Sequence, residues 1–180
     1  MRFSLLSTLS LLWVLTACNL VRQPEKAAVS ATTTTVYLVR HAEKDTTRSL
    51  TDPPLTPAGR QRALALRDSL ASRNPVALFT TDTRRTRDTL VPLEAALQLT
   101  PMSYDAKDPA RLAALIRREY AGKKVVVVGH SNTLLPLIEA LGVTRPMREI
   151  ADERYDYLFE VRLPTEGTGT IGVTRYGARR

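Results

Sequence analysis

The sequence predicts a three-layer α/β/α domain with a mostly parallel central sheet. Strand and helix signals alternate from residue 35 to residue 176, the order that builds a sheet covered by helices. The run Val125-Val126-Val127-Val128 is β-branched throughout, without the polar alternation of a half-exposed strand, so it reads as a central strand covered on both faces. Thr56-Pro57 and Asp108-Pro109 each place a capping side chain before a first-turn proline, which marks the start of a helix. The 180 residues suffice for one domain with its own core.

In chain order, residues 35–39 form the first predicted strand, and the polar stretch 44–54 follows as a loop. Thr56 opens a helix whose apolar positions are Ala63, Leu66 and Leu70. Residues 75–80 are a short buried strand, and 83–97 a helix that Pro92 is expected to kink or interrupt. A third strand is expected within 99–104. Asp108 begins a helix that runs through Leu112, Leu115 and Ile116 to Gly122. After the valine strand, 131–141 is a helix closed by Gly142, and 157–163 and 170–176 are strands joined by a turn-rich segment.

The first residues are read differently. Residues 1–17 carry Arg2 and then an apolar run interrupted by hydroxyls, too short to span a bilayer; this is the pattern of an export signal. Leu15-Thr16-Ala17-Cys18 resembles the bacterial lipobox, which implies a lipid anchor at Cys18 and an exported protein facing the periplasm or the cell exterior. Cys18 is the single cysteine, so no disulfide forms within the chain. Residues 18–34, polar and with a proline, read as a tether, leaving 35–180 as the domain. Net charge is +8, but aromatics make up only 6% and form no basic-aromatic stripe, which argues against nucleic acid. The charge suits an anionic substrate, and a monomer is expected.

In an open α/β sheet, ligands bind beyond the carboxyl ends of the strands. Arg40-His41 follows the first strand, Gly129-His130-Ser131 follows the valine strand, and a Thr-Asp-Arg cluster from Thr80 to Thr89 follows the second. Three strand ends thus deliver both histidines of the chain and several arginines to one edge. Arginine binds phosphate oxygens bidentately, and a neutral imidazole is a good nucleophile toward phosphorus. Phosphoryl transfer is the chemistry that fits.

Leu38-Val39-Arg40-His41-Ala42-Glu43, Leu55-Thr56-Pro57-Ala58-Gly59-Arg60-Gln61, the Thr80 to Thr89 cluster and Val127-Val128-Gly129-His130-Ser131 occur in an order that resembles the histidine phosphatase superfamily, which includes the phosphoglycerate mutases. The resemblance implies a phosphoglycerate mutase-like fold and a cofactor-free phosphatase acting on a small phosphorylated substrate or a phosphoprotein. By the same resemblance His41 is the nucleophile, Arg40, Arg85 and His130 are phosphate ligands, and Ser131 and Asn132 assist as donors. Arg84 and Arg87 are left to solvent.

Two departures narrow the branch. Ala42 stands where the family often has Gly, which resembles the compact bacterial phosphohistidine-phosphatase-like branch and argues against a mutase; Ser131 stands where the acid phosphatases carry their acidic donor. Glu43 and Asp105 are therefore the candidate general acids, with the choice open: Glu43 could instead pair with Lys44 or an arginine, and Asp105 could belong to a turn. A serine-hydrolase reading of Gly129-His130-Ser131-Asn132-Thr133 fails because no histidine follows residue 130. Two separated histidines give no metal motif. The rival from another class is a surface lipoprotein that binds a phosphorylated ligand without turning it over.

Overall fold

A computed structural model describes residues 32–47 and 49–178. The expected signal segment 1–17, the anchor Cys18, most of the tether, and Arg179 and Arg180 lie outside the described residues. Among the described residues no helix is long and apolar enough to cross a membrane.

The strands are β1 (Thr33–Arg40), β2 (Ala77–Thr80), β3 (Met102–Ser103), β4 (Lys124–Gly129), β5 (Tyr157–Pro164) and β6 (Thr170–Arg175). The helices are α1 (Pro57–Leu70), α2 (Arg84–Leu97), α3 (Pro109–Glu119) and α4 (Ser131–Ala140). One sheet holds all six strands in the order β3-β2-β4-β1-β5-β6. The first four run parallel, and β5 and β6 add an antiparallel edge.

The valine strand behaves as its composition requires. Val125 and Val127 face α3 and α4, among Leu112, Ile116, Leu134 and Ile138. Val126 and Val128 face α1 and α2, among Leu66, Leu70, Leu90 and Leu93. Both faces of β4 are dry, and the α/β/α layering follows from that. The Thr56 hydroxyl accepts from the Gly59 amide at 3.0 Å, and the Asp108 carboxylate from the Arg111 amide at 3.0 Å, so both expected caps form.

Four details differ from the sequence reading. β1 begins at Thr33, inside the expected tether, because the buried Thr34 hydroxyl accepts from the Gly122 amide at 2.9 Å. The third strand shrinks to two residues at the sheet edge, both exposed. α3 stops at Glu119, and Gly122 sits in the following turn with φ of 72°. α2 continues unbroken through Pro92. An interior proline costs about 3 kcal/mol, but Leu90 and Leu93 on either side of it are fully buried, each contributing about 1.5–3 kcal/mol, and packing wins.

Parallel pairing aligns the chemistry. Arg40 sits in register with Gly129, and Thr80 with Val128. His41, His130 and Thr81 therefore leave three adjacent strands at one level.

Candidate active site

His41 lies almost fully buried immediately past β1, its amide bonded to the Gly129 carbonyl at 2.9 Å. Its Nδ1 is 2.8 Å from the Ala42 carbonyl oxygen. A carbonyl only accepts, so Nδ1 carries the proton and the lone pair resides on Nε2. The His130 ring stands edge-on to it, centroids 5.4 Å apart, and the Tyr155 ring is 6.0 Å away. The two histidines thus share one site, and 2.9 Å separates His130 Nε2 from the Thr81 hydroxyl.

Arg40 is held from one side. Its Nη1 donates to the carbonyls of Ala151, Asp152 and Arg154, at 3.1, 2.8 and 3.3 Å, and the Tyr155 ring covers its guanidinium at 4.3 Å. Arg85 is steered from the loop before α1, where an Asp52 oxygen lies 3.7 Å from its Nη1. That carboxylate also accepts the Arg84 amide at the start of α2, at 3.0 and 2.8 Å. The Nε–H of Arg40 and of Arg85 are both buried, with no acceptor among the described residues. Buried unpaired donors are costly, and a tetrahedral oxyanion would satisfy both.

Arg84 pairs with Asp88 at 3.5 Å, and Arg87 forms an ion pair with Asp82 while its Nη2 lies 3.9 Å from the same Asp52 carboxylate that faces Arg85. Ser131 and Asn132 occupy the first turn of α4, Ser131 half-buried and Asn132 exposed. Among the described residues no group of three or more His, Cys, Asp or Glu side chains is placed to hold a metal ion.

The two candidate acids lie in different places. Glu43 is buried and engaged by Arg62, whose Nε reaches both carboxylate oxygens at 3.0 Å and whose Nη2 reaches one at 2.8 Å. This bidentate pair ties α1 to the loop that follows His41, and it is the arginine pairing left open for Glu43 beside proton donation. Asp105 is exposed and accepts the Lys107 amide at 2.8 Å, in a turn, yet it borders the cavity into which His130 opens.

The Leu-Thr-Pro-Ala-Gly stretch gains a physical role beside that loop. The Thr56 amide donates to the Glu43 carbonyl at 2.9 Å, and a Cβ on Gly59 would lie 2.3 Å from that same oxygen. Gly59→Ala therefore has to push α1 off the Glu43 backbone. A loss of about 1–3 kcal/mol is expected, measured as the drop in unfolding free energy in urea; an unchanged midpoint would contradict the contact.

Burial pushes His41 down to about 3 from an ordinary 6.5, helped by the charges of Arg40, His130 and Arg85 and opposed by the bond to Ala42. Burial, then Arg85, Arg40 and Lys44, push His130 down to about 4. Both imidazoles are neutral at pH 7, ready as nucleophile and hydrogen-bond partner. The chain has only two histidines, so a histidine-edited NMR titration of the free protein should show no midpoint between pH 6 and 7; one there would refute the burial. As for stability, the unfolded chain binds these two protons from about pH 6.5 downward, whereas the folded protein resists until about 4 and about 3. Acidification through that window therefore destabilises the fold.

Sequence reading does not single out Thr81, Asp52, Arg62 or Tyr155. Thr81 had a signal, since it follows β2 at the topological position of His41 and His130. The other three are brought in by loops and helix packing.

The comparisons agree with this geometry. The family model described as histidine phosphatase superfamily (branch 1) matches residues 36–107. The fold is shared with the protein histidine phosphatase SixA in complex with tungstate, 22% identical, TM-score 0.62, covering 78% of this chain and 96% of that one. It is shared with mycobacterial glucosyl-3-phosphoglycerate phosphatase, 16% identical, TM-score 0.60, covering 72% and 90%. It is shared also with a mycobacterial hydrolase, 17% identical, TM-score 0.63, covering 81% and 100%. A search of the curated proteins finds no match. The family model thus covers 72 of the 180 residues, and these solved structures share the fold over 72–81% of this chain.

Proposed function

We propose that the protein hydrolyses phosphate monoesters or phosphoramidates through a phosphohistidine formed on His41. The observation that carries this is the neutral, oriented imidazole: Nδ1 is tied to the Ala42 carbonyl, which leaves the Nε2 lone pair to attack phosphorus. As the Nε2–P bond forms, the bond from phosphorus to the leaving group breaks, and that group departs with its electron pair and takes a proton from solvent, which the attacking water of the second step returns. Water then attacks the phosphohistidine, releases inorganic phosphate and restores the imidazole. Arg40 and Arg85 hold the transferring oxygens through their buried Nε–H groups, and charge-assisted bonds of this kind are worth most away from water. Burial first and then the charges of Arg85 and Arg40 keep His130 neutral in the free protein; a phosphoryl dianion offsets those charges and favours a proton on His130 to share with its oxygens.

The test is trapping by rapid quench into alkaline detergent. An isotopically labelled aryl phosphate or phosphoramidate should leave acid-labile, base-stable label on His41, and the label should be absent from His41→Ala. Turnover without label at His41 would overturn the mechanism.

The Leu15-Thr16-Ala17-Cys18 stretch supports placing this phosphatase on a bacterial membrane through a lipid on Cys18. Cys18→Ser should move the protein from the membrane fraction to the soluble fraction; retention in the membrane would refute the anchor.

A further inference from the structure

The phosphoryl ligands do not account for an opening beside the site. A cavity of about 960 Å³ begins at His130 and Thr81 and runs along α3, while His41, Arg40 and Arg85 are not part of its wall. It borders the phosphoryl site at His130 and Thr81. One side is apolar, built by Tyr104, Leu112 and Leu115. The rest of the wall is charged, with Lys107, Arg111 and Arg118 beside Asp82, Asp105 and Asp108. Arg111, Leu115 and Arg118 fall on one face of α3, so the lined stretch extends about 10 Å along the helix.

The acids near this wall are already engaged. Asp105 and Asp108 accept the backbone amides of Lys107 and Arg111, at 2.8 and 3.0 Å. Asp82 forms an ion pair with Arg87, and Glu119 takes Arg118 Nε at 2.7 Å. The Lys107 ammonium and the Arg111 guanidinium have no ion-pair partner among the described residues. Two cations free of ion pairs beside an apolar wall, with their neighbouring carboxylates turned to backbone amides, suit a ligand that is extended, partly apolar and anionic at its far end.

We infer that this cavity is the leaving-group site, and that the substrate class is a phosphoester or phosphoramidate whose leaving group is extended and carries a second anionic group, a phosphate or a carboxylate, for Lys107 and Arg111. The inference rests on the catalytic reading proposed above. The phosphoryl group sits between His41 and the two site arginines, and the scissile bond points past His130 and Thr81 into the cavity. The far anion meets the cations at the start of α3. A compact alcohol would leave most of the cavity to water.

The experiment uses a homologous series of straight-chain ω-phosphooxy carboxylates, each matched to the alkyl phosphate of the same length. Above a threshold length, kcat/KM for the carboxylate should exceed that for its alkyl partner by at least about tenfold, the worth of a charge-assisted contact. The ratio should fall toward one in Arg111→Gln with Lys107→Gln, and stay unchanged in Arg145→Gln, whose arginine pairs with Glu139 outside the cavity. Calorimetric binding of the same pairs to His41→Ala reads the cavity without turnover. A ratio near one at every length, in both turnover and binding, overturns the leaving-group site. Loss of all turnover with the binding preference intact overturns the catalytic reading and leaves the site standing.

Discussion

Replacing His41 with alanine is expected to bring turnover of an aryl phosphate down to the uncatalysed background, a loss of about 10⁴-fold or more, as for enzymes deprived of their nucleophile. The fold should survive, because the His41 side chain makes one hydrogen bond, to the carbonyl of its own neighbour. His130→Ala should cost less, about 10²–10³-fold, since it removes a donor to the transferring oxygens and leaves the attacking nitrogen in place. The ordering separates nucleophile from ligand: equal losses in the two variants, or residual phosphate release by His41→Ala above background, would overturn the assignment. A wild-type protein that binds phosphate but releases none from any ester would favour the rival reading, a surface binder that has kept the pocket and lost the chemistry.

The site's depressed pKa values belong to the same argument. Burial is the first cause for both histidines, and the neighbouring arginines add to it. An imidazole that stays neutral well below pH 6.5 keeps its lone pair at every physiological pH. Activity on the acid side is then limited by the substrate's own protonation rather than by the nucleophile's.

The sequence was most legible where backbone chemistry is local. Thr56 and Asp108 cap their helices because a hydroxyl or carboxylate three residues upstream of an amide has little else to do. The valine strand is central because no other position tolerates four consecutive β-branched side chains. Parallel register then follows, and with it the meeting of His41 and His130. What stayed hidden depends on contacts between residues far apart in the chain. Arg40 is anchored by carbonyls more than 100 positions away, at Ala151, Asp152 and Arg154, in a stretch without regular structure whose composition announces nothing. Tyr155 reaches the site by the same route. Pro92 was over-read because a local rule about one missing amide does not weigh the burial of the leucines around it. Glu43 was left between proton donation and pairing with Lys44 or an arginine, and that the partner is Arg62, approaching from α1, depends on helix packing that the sequence does not display.

That pair carries the largest expected effect on stability. Arg62 is buried, donates to Glu43 through Nε and Nη2, and also reaches the carbonyls of Tyr176 and Ala178 at 3.1 Å each. One guanidinium thus joins the loop after β1, helix α1 and the chain beyond β6. Arg62→Met takes from the buried Glu43 carboxylate its bidentate guanidinium and strips two carbonyls of a donor. The expected loss is about 3–5 kcal/mol, a fall in melting temperature of roughly 10 °C or more for a domain of this size. Adding Glu43→Gln to Arg62→Met removes the carboxylate's charge, so the double variant should recover part of the loss and show a coupling energy well above 1 kcal/mol in a double-mutant cycle. Purely additive losses would mean that the two side chains touch without depending on each other. Turnover gives a second readout, because the Glu43 backbone is the surface against which Thr56 and Gly59 dock. Loosening it lets the loop after His41 drift, and since a displacement of about 1 Å can cost about 10²-fold in rate, kcat should fall in Arg62→Met even at temperatures where the variant remains folded.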